Sequence, residues 1–317
     1  MIAERRQLLR MGLAAGLLLS PAAALAEVFA GSYRPQAERI GDGVWMVRGA
    51  DEPIAFGNGG AIANSAILAT DEGPVLFDPG VSREHGLSLA VLARDLCGKD
   101  VTRVLVSHLH PDHALGAAAF APGIVHALPA TQTGLERDGT GFADAMYRIL
   151  ADWMKGTTLV LPRGDLAEGA LTIGGRTMRL LALRGHSEGD LALLDETSGV
   201  LLAGDTVFHQ RAPSTPHADL AAWRSAIDRL EALPHRVLVP GHGPLDTRGA
   251  AIDQTRAWLD WLEKALRDAV GNGLDMNEAG EMPIPPRFAT LKAARYELQR
   301  SVSHFYPRLE AELLPRL

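Results

Sequence analysis

The sequence predicts an α/β layered domain, on three observations. Short apolar runs bounded by glycine and proline recur along the chain, and each ends in a polar residue. Amphipathic segments of helical period lie between and after them. One strand–turn–strand pattern occurs twice, as "AILATDEGPVLFD" (Ala66–Asp78) and "LALLDETSGVLLAGD" (Leu191–Asp205), which suits a domain of two similar halves. Strands interspersed with helices bury their apolar faces as packed layers. The chain has 317 residues, 47% hydrophobic and 22% charged, the composition of an ordinary globular protein. A net charge of −7 with no basic stripe argues against nucleic acid as a partner.

The first 26 residues read as a cleaved export signal. Arg5, Arg6 and Arg10 precede the apolar run Met11–Leu19, and Ala24-Leu25-Ala26 supplies a cleavage pattern. Arg5-Arg6 followed by Gln7-Leu8-Leu9 resembles a twin-arginine signal. The run is shorter than the ~20 residues of a spanning helix, and Pro21 interrupts its end. The expectation is a periplasmic protein with no membrane span after cleavage. Cys97 is the only cysteine, so no internal disulfide is available. Its helix-like setting, "LSLAVLARDLCG", makes it a small core residue.

Five apolar runs read as buried strands. "PVLFD" ends at Asp78, "VTRVLVSH" at His108, "TMRLLALRGH" at His186, "GVLLAGD" at Asp205 and "RVLVPGH" at His242. If these strands lie in sheets, their ends gather five polar residues along one rim, where catalytic groups commonly sit. Three helices follow. "DLAAWRSAIDRLEAL" aligns Leu220, Trp223, Ile227 and Leu230, with Asp219 as N-cap and His217 at its start. "AAIDQTRAWLDWLEKALRDAV" aligns Ile252, Leu259, Leu262 and Leu266. "LKAARYELQRSVSHFYPRLEAELL" aligns Leu291, Leu298, Val302, Phe305 and Leu309, with a bend or break expected near Pro307. The division is a domain over 27–246 and a helical extension over 247–317 packed on it.

"SHLHPDHALG" carries the chemistry. His108, His110, Asp112 and His113 fall within six residues, which a structural role does not explain. One metal is within reach of His108 and His110, and a second of Asp112 and His113, because zinc accepts imidazole nitrogen and carboxylate oxygen. His186, Asp205 and His242 are the suppliers of further ligands, each beside a glycine. Asp78 is either a hydrogen-bonding support for this loop or a turn residue before Pro79-Gly80. His209 and Arg211 lie in "GDTVFHQRAPSTPH" and either contact substrate or belong to a solvated loop. Arg211 is suited to hold a carboxylate or sulfonate, with His209 and His217 as further donors. His85, His126, His235 and His304 have no partner pattern and read as structural or surface residues.

The ordered set resembles the metallo-β-lactamase superfamily, whose H-x-H-x-D-H motif matches His108-Leu-His110-Pro-Asp112-His113. The later ligands match His186, Asp205 in "AGDTVF" and His242 in "PGHG", and Asp78 matches in "FDPG". The resemblance implies an αββα sandwich with C-terminal helices, and two zinc ions. One takes His108, His110 and His186, the other Asp112, His113 and His242, and Asp205 bridges them. It further implies a metal-dependent hydrolase that uses a metal-bridging hydroxide on an ester, thioester or amide-like bond of a small molecule, with Asp112 as proton relay. "HLHPDHALGAAAF" is similar to the exported sulfur-oxidation-linked and quinoprotein relay system zinc metallohydrolases, with Ala117 in place of their usual Asn. That implies a link to a periplasmic quinoprotein system. The alternatives are a mononuclear iron persulfide dioxygenase, a glyoxalase II-like thioesterase and a non-catalytic metal-binding maturation partner. His110 stands where flavodiiron proteins carry Glu, which argues for zinc over a di-iron centre.

Overall fold

The computed structural model describes residues 31–313, and the expected signal segment lies outside them. Two mixed sheets make its centre. The first runs in chain order: β1 (Ala37–Gly41), β2 (Val44–Val47), β3 (Ser65–Leu68), β4 (Val75–Phe77), β5 (Arg103–Leu105) and β6 (Val125–His126). Strands β1 to β4 are antiparallel, and β5 and β6 continue parallel to β4. Helix α1 (Arg83–Cys97) makes the β4–β5 crossover. It starts where the Ser82 hydroxyl caps the His85 N–H and stops at Gly98 in the left-handed region.

The second sheet has the order β11–β10–β9–β8–β7, formed by β7 (Gly169–Ile173), β8 (Arg176–Leu183), β9 (Asp190–Asp195), β10 (Val200–Phe208) and β11 (Val237–His242). It is antiparallel except for the β10–β11 pair, which α4 (Leu220–Glu231) connects. The other helices are α2 (Pro111–Ala114), α3 (Pro129–Leu150), α5 (Ala250–Gly271), α6 (Met276–Gly280) and α7 (Ala294–Leu313).

Period-two burial sets the layers. Val75 and Phe77 of β4 face the second sheet, where they meet a core containing Met178, Leu193 and Leu202. Leu76 points the other way, onto a core with Leu89 of α1 and Leu135 of α3. On the far side, Leu194, Leu201 and Ala203 pack with Trp223 of α4, Trp258 of α5 and Phe305 of α7. The result is the expected αββα sandwich with C-terminal helices. Those helices share one continuous core with β9, β10 and α4, so residues 247–313 complete the fourth layer.

Some expectations change. Helix α7 runs through Pro307 without a break: the proline lies on its exposed side, while Phe305, Tyr306 and Leu309 around it are buried. Asp205 lies within β10, not at its end. His217 precedes the helix start, since α4 begins at Leu220 under the Asp219 cap. Helix α3 had no counterpart in the sequence reading: Gly134, Gly139 and Gly141 dilute its apolar stripe. The two echoing segments are both antiparallel hairpins, β3–β4 and β9–β10. Cys97 is half-buried at the end of α1.

Candidate metal centre

Four segments at one edge of the two sheets deliver seven side chains. After β5, the chain runs through His108 and His110, and Pro111 opens the one-turn helix α2 that carries Asp112 and His113. The loop between β8 and β9 carries His186, whose N–H is held by Asp190 Oδ2 at 3.0 Å. Burial pushes that Asp190 carboxyl up to about 7. Strand β10 carries Asp205, and β11 ends at His242. Gly241 is required by the close approach of these strands: a Cβ there would lie 1.9 Å from Asp205 Oδ1.

The seven side chains fall into two buried groups, His108–His110–His186–Asp205 and Asp112–His113–His242, with ligand atoms within 4.8 Å of one another in each. Asp205 faces both. Its Oδ2 is 3.3 Å from His186 Nε2 and 3.7 Å from His108 Nε2, while Oδ1 is 3.1 Å from His113 Nε2 and 3.3 Å from His242 Nε2. Asp112 Oδ2 is 3.4 Å from His242 Nε2 and 3.6 Å from His113 Nε2.

The outer ring nitrogens explain why a cation fits. His113 Nδ1 donates to Asp78 Oδ2 at 2.7 Å, and His242 Nδ1 to the Ile62 carbonyl at 2.8 Å. His108 Nδ1 donates to Ser107 Oγ at 2.9 Å, since that hydroxyl gives its own proton to Asp78 Oδ2. His110 Nε2 lies 2.9 Å from His217 Nδ1. These partners place the protons outward and the lone pairs inward. In the first group His110 Nδ1 then sits 2.9 Å from His108 Nε2, lone pair toward lone pair, and 2.8 Å from His186 Nε2, while His186 Nδ1 is buried with no partner. A shared cation makes the close approach of the three nitrogens favourable. Asp205 Oδ1 is buried between His113 Nε2 at 3.1 Å and His242 Nε2 at 3.3 Å, where a cation suits it equally.

The electrostatics agree. Burial, aided by neighbouring imidazoles, holds His108 and His110 well below the usual histidine range, and burial brings His186 down to about 4. Neutral imidazole is the form a metal takes. His113 goes the other way: burial opposes its protonation, but the carboxylates of Asp205, Asp78 and Asp112 outweigh that and raise it well above the usual range. A proton on His113 thus balances carboxylates that a metal would otherwise neutralise.

Asp78 stands outside both groups and holds the loop, accepting from the Ser107 N–H at 2.7 Å as well as from His113. Its φ of 58° puts it in the left-handed region directly after β4. Arg211 is buried against the cavity that opens on the centre, whereas His209 turns away and gives its Nδ1–H to the Pro244 carbonyl at 2.9 Å. Among the unassigned histidines, His85 is buried against Tyr33, His126 pairs with Asp165 at 2.8 Å and His304 meets Thr215 at 3.1 Å. Sequence reasoning missed Ser107, Asp190 and His217 as supports. Ser107 and Asp190 both sit near predicted ligands in the chain, but nothing in their spacing assigns them a partner. The cavity, of about 240 Å³, is lined by His110, Asp112, Asp205 and His242 on its floor. Its size admits a small molecule.

Residues 58–242 match the family described as the metallo-beta-lactamase superfamily. The chain is similar to an acyl-coenzyme A thioesterase MBLAC2 of Bos taurus, 24% identical over 220 residues, covering 63% of this chain and 72% of the relative. It is also similar to a hydroxyacylglutathione hydrolase of Yersinia pestis, 28% identical over 166 residues, covering 52% of this chain and 55% of the relative. Among solved structures, metallo-beta-lactamase FIM-1 from Pseudomonas aeruginosa in its mono-zinc form aligns with a TM-score of 0.57 at 18% identity, covering 72% of this chain and 96% of that one.

Proposed function

We propose that this chain, a metal-dependent hydrolase that belongs to the metallo-β-lactamase superfamily, holds two zinc ions and cleaves an ester, thioester or amide-like bond of a small molecule. The observation that carries the reading is Asp205, whose two oxygens face the two ligand groups separately. His108, His110 and His186 would hold one ion, Asp112, His113 and His242 the other, with Asp205 between them. Two ions held there would supply a water ionised near neutral pH and would polarise the bond to be attacked.

The chain's own groups do the rest. Asp78, Ser107 and the Ile62 carbonyl fix ring orientation by accepting the outer N–H groups. Asp112 lines the cavity floor, where its carboxylate is placed to take a proton from the attacking water and return it to the leaving group. Pro53, Ile54 and Ile62 give the cavity part of its apolar lining. A thioester is favoured among the bond types by the likeness to the thioesterase. Export and a link to a periplasmic quinoprotein system complete the proposal, supported by the N-terminal sequence and by the "HLHPDHALGAAAF" resemblance.

A screen of the zinc-loaded protein with ester, thioester, lactone and β-lactam probes tests the reading. Asp205→Ala is expected to lose one zinc equivalent and nearly all turnover while the far-ultraviolet spectrum stays unchanged. Two zincs and wild-type turnover in that variant would contradict the bridging role.

A further inference from the structure

The cavity has one polar wall whose charges the metal centre does not use. Arg211, from the loop after β10, is 2% exposed, yet its nearest carboxylate oxygen, Glu297 Oε1, is 3.6 Å away. Its Nε has no partner at all. A buried guanidinium so weakly satisfied is costly unless something else completes its hydrogen bonds. Helix α7 brings a second guanidinium to the same wall. Arg300 Nη1 donates to Glu297 Oε2 at 3.0 Å and to Ser214 Oγ at 3.1 Å. Two cations therefore share one carboxylate, and Glu297 itself is fully buried. Burial pushes the Glu297 carboxyl up, while the two guanidiniums beside it hold it down. Apolar side chains line the same cavity, among them Ile54, Phe142, Met146 and Ile149.

We propose that Arg211 and Arg300 form an anion subsite, and that the substrate is an acyl compound with an apolar body and a single terminal oxyanion. This rests on the reading that the bond is cleaved at the metal centre. The apolar body lies against Phe142 and Met146, and the oxyanion takes the free edges of the two guanidiniums. The labile bond then spans the floor, over Asp112 and Asp205. Planar guanidiniums suit an oxyanion better than ammonium groups, because each presents two parallel N–H donors. The wall comes from α7, so the C-terminal helices set substrate choice as well as closing the core.

Titration calorimetry with hexane-1-sulfonate tests the subsite on the protein as purified, with metal content matched between samples. Wild type is expected to bind the sulfonate at least tenfold more tightly than Arg300→Gln, and more tightly than it binds 1-hexanol. Arg300→Lys, which keeps the charge beside Glu297, serves if the glutamine variant fails to fold, and is expected to lose affinity by several-fold. A parallel measurement compares p-nitrophenyl hydrogen adipate with p-nitrophenyl hexanoate: the ratio of their kcat/KM values is expected to fall about tenfold in Arg300→Gln. Sulfonate binding equal in wild type and both variants, or hexanol bound as tightly as sulfonate, would overturn the subsite. If wild type cleaves neither ester, the hydrolase reading fails and the sulfonate titration alone decides the subsite.

Discussion

Asp78 lies outside both ligand groups, yet three of its hydrogen bonds reach the segment that bears part of each. It accepts the His113 Nδ1–H at 2.7 Å and both donors of Ser107, so it sets a ring and the loop that bears two more ligands. Asp78→Ala is expected to weaken zinc at the Asp112–His113–His242 group by roughly 10–100-fold, measured by competition with a chromophoric chelator. Unchanged zinc affinity in that variant would contradict the supporting role of Asp78. His85 supplies a separate test. Burial lowers it to about 4, well under the ordinary 6.5, so the folded chain keeps it neutral while the unfolded chain protonates it. The stability it contributes is present above pH 6.5 and is lost as pH falls toward 4, a loss of roughly 3 kcal/mol at full extent. Urea unfolding at pH 7 and pH 4.5 should therefore cost His85→Gln less stability than wild type on acidification. Parallel losses would contradict this account. The seven metal-type residues were legible in the sequence because residue type alone marks them. Their supports were not: Ser107, Asp190 and His217 are ordinary residues whose partners only the fold supplies.

At the scale of elements, helix α4 illustrates what was legible and why. Its apolar residues Leu220, Trp223, Ile227 and Leu230 recur at helical spacing and are all buried, and Asp219 accepts the Ala222 N–H at 3.0 Å. The Asp219 N–H also donates to the Gly185 carbonyl, which ties the cap to the loop bearing His186. Asp219→Ala is expected to cost about 1 kcal/mol in urea unfolding. A change of less than a few tenths would mean solvent replaces the cap. Helix α3 was not legible, since glycines interrupt its stripe, yet it supplies Phe142 and Met146 to the cavity. Strand β10 was read as ending at Asp205 because a glycine precedes that residue. In the fold, Gly204 takes a φ of 51° and shifts the register with β11, so the strand continues to Phe208 and Asp205 is held within it. Pro307 misled in the opposite direction: tertiary packing of Phe305, Tyr306 and Leu309 outweighs the local preference for a break.

At the scale of the whole molecule, the sandwich exists to bring distant segments to one edge. His108 and His242 are far apart in sequence, yet the parallel pairs β4–β5 and β10–β11 both end at the metal centre. The layered class and the resemblance carried this much from the residues alone. What they did not carry was the role of residues 247–313, because amphipathic stripes report that a face is buried and not what it covers. In the fold those helices close the outer layer and give Glu297 and Arg300 to the cavity. Among the described residues no helix is long and apolar enough to cross a membrane. Two buried ligand groups, joined by Asp205, are proposed to hold two zinc ions for hydrolysis. Metal analysis of the protein purified from its native cell is the decisive measurement. Two zinc ions per chain are expected, falling to one in Asp205→Ala; one iron and no zinc per chain would contradict the dizinc centre.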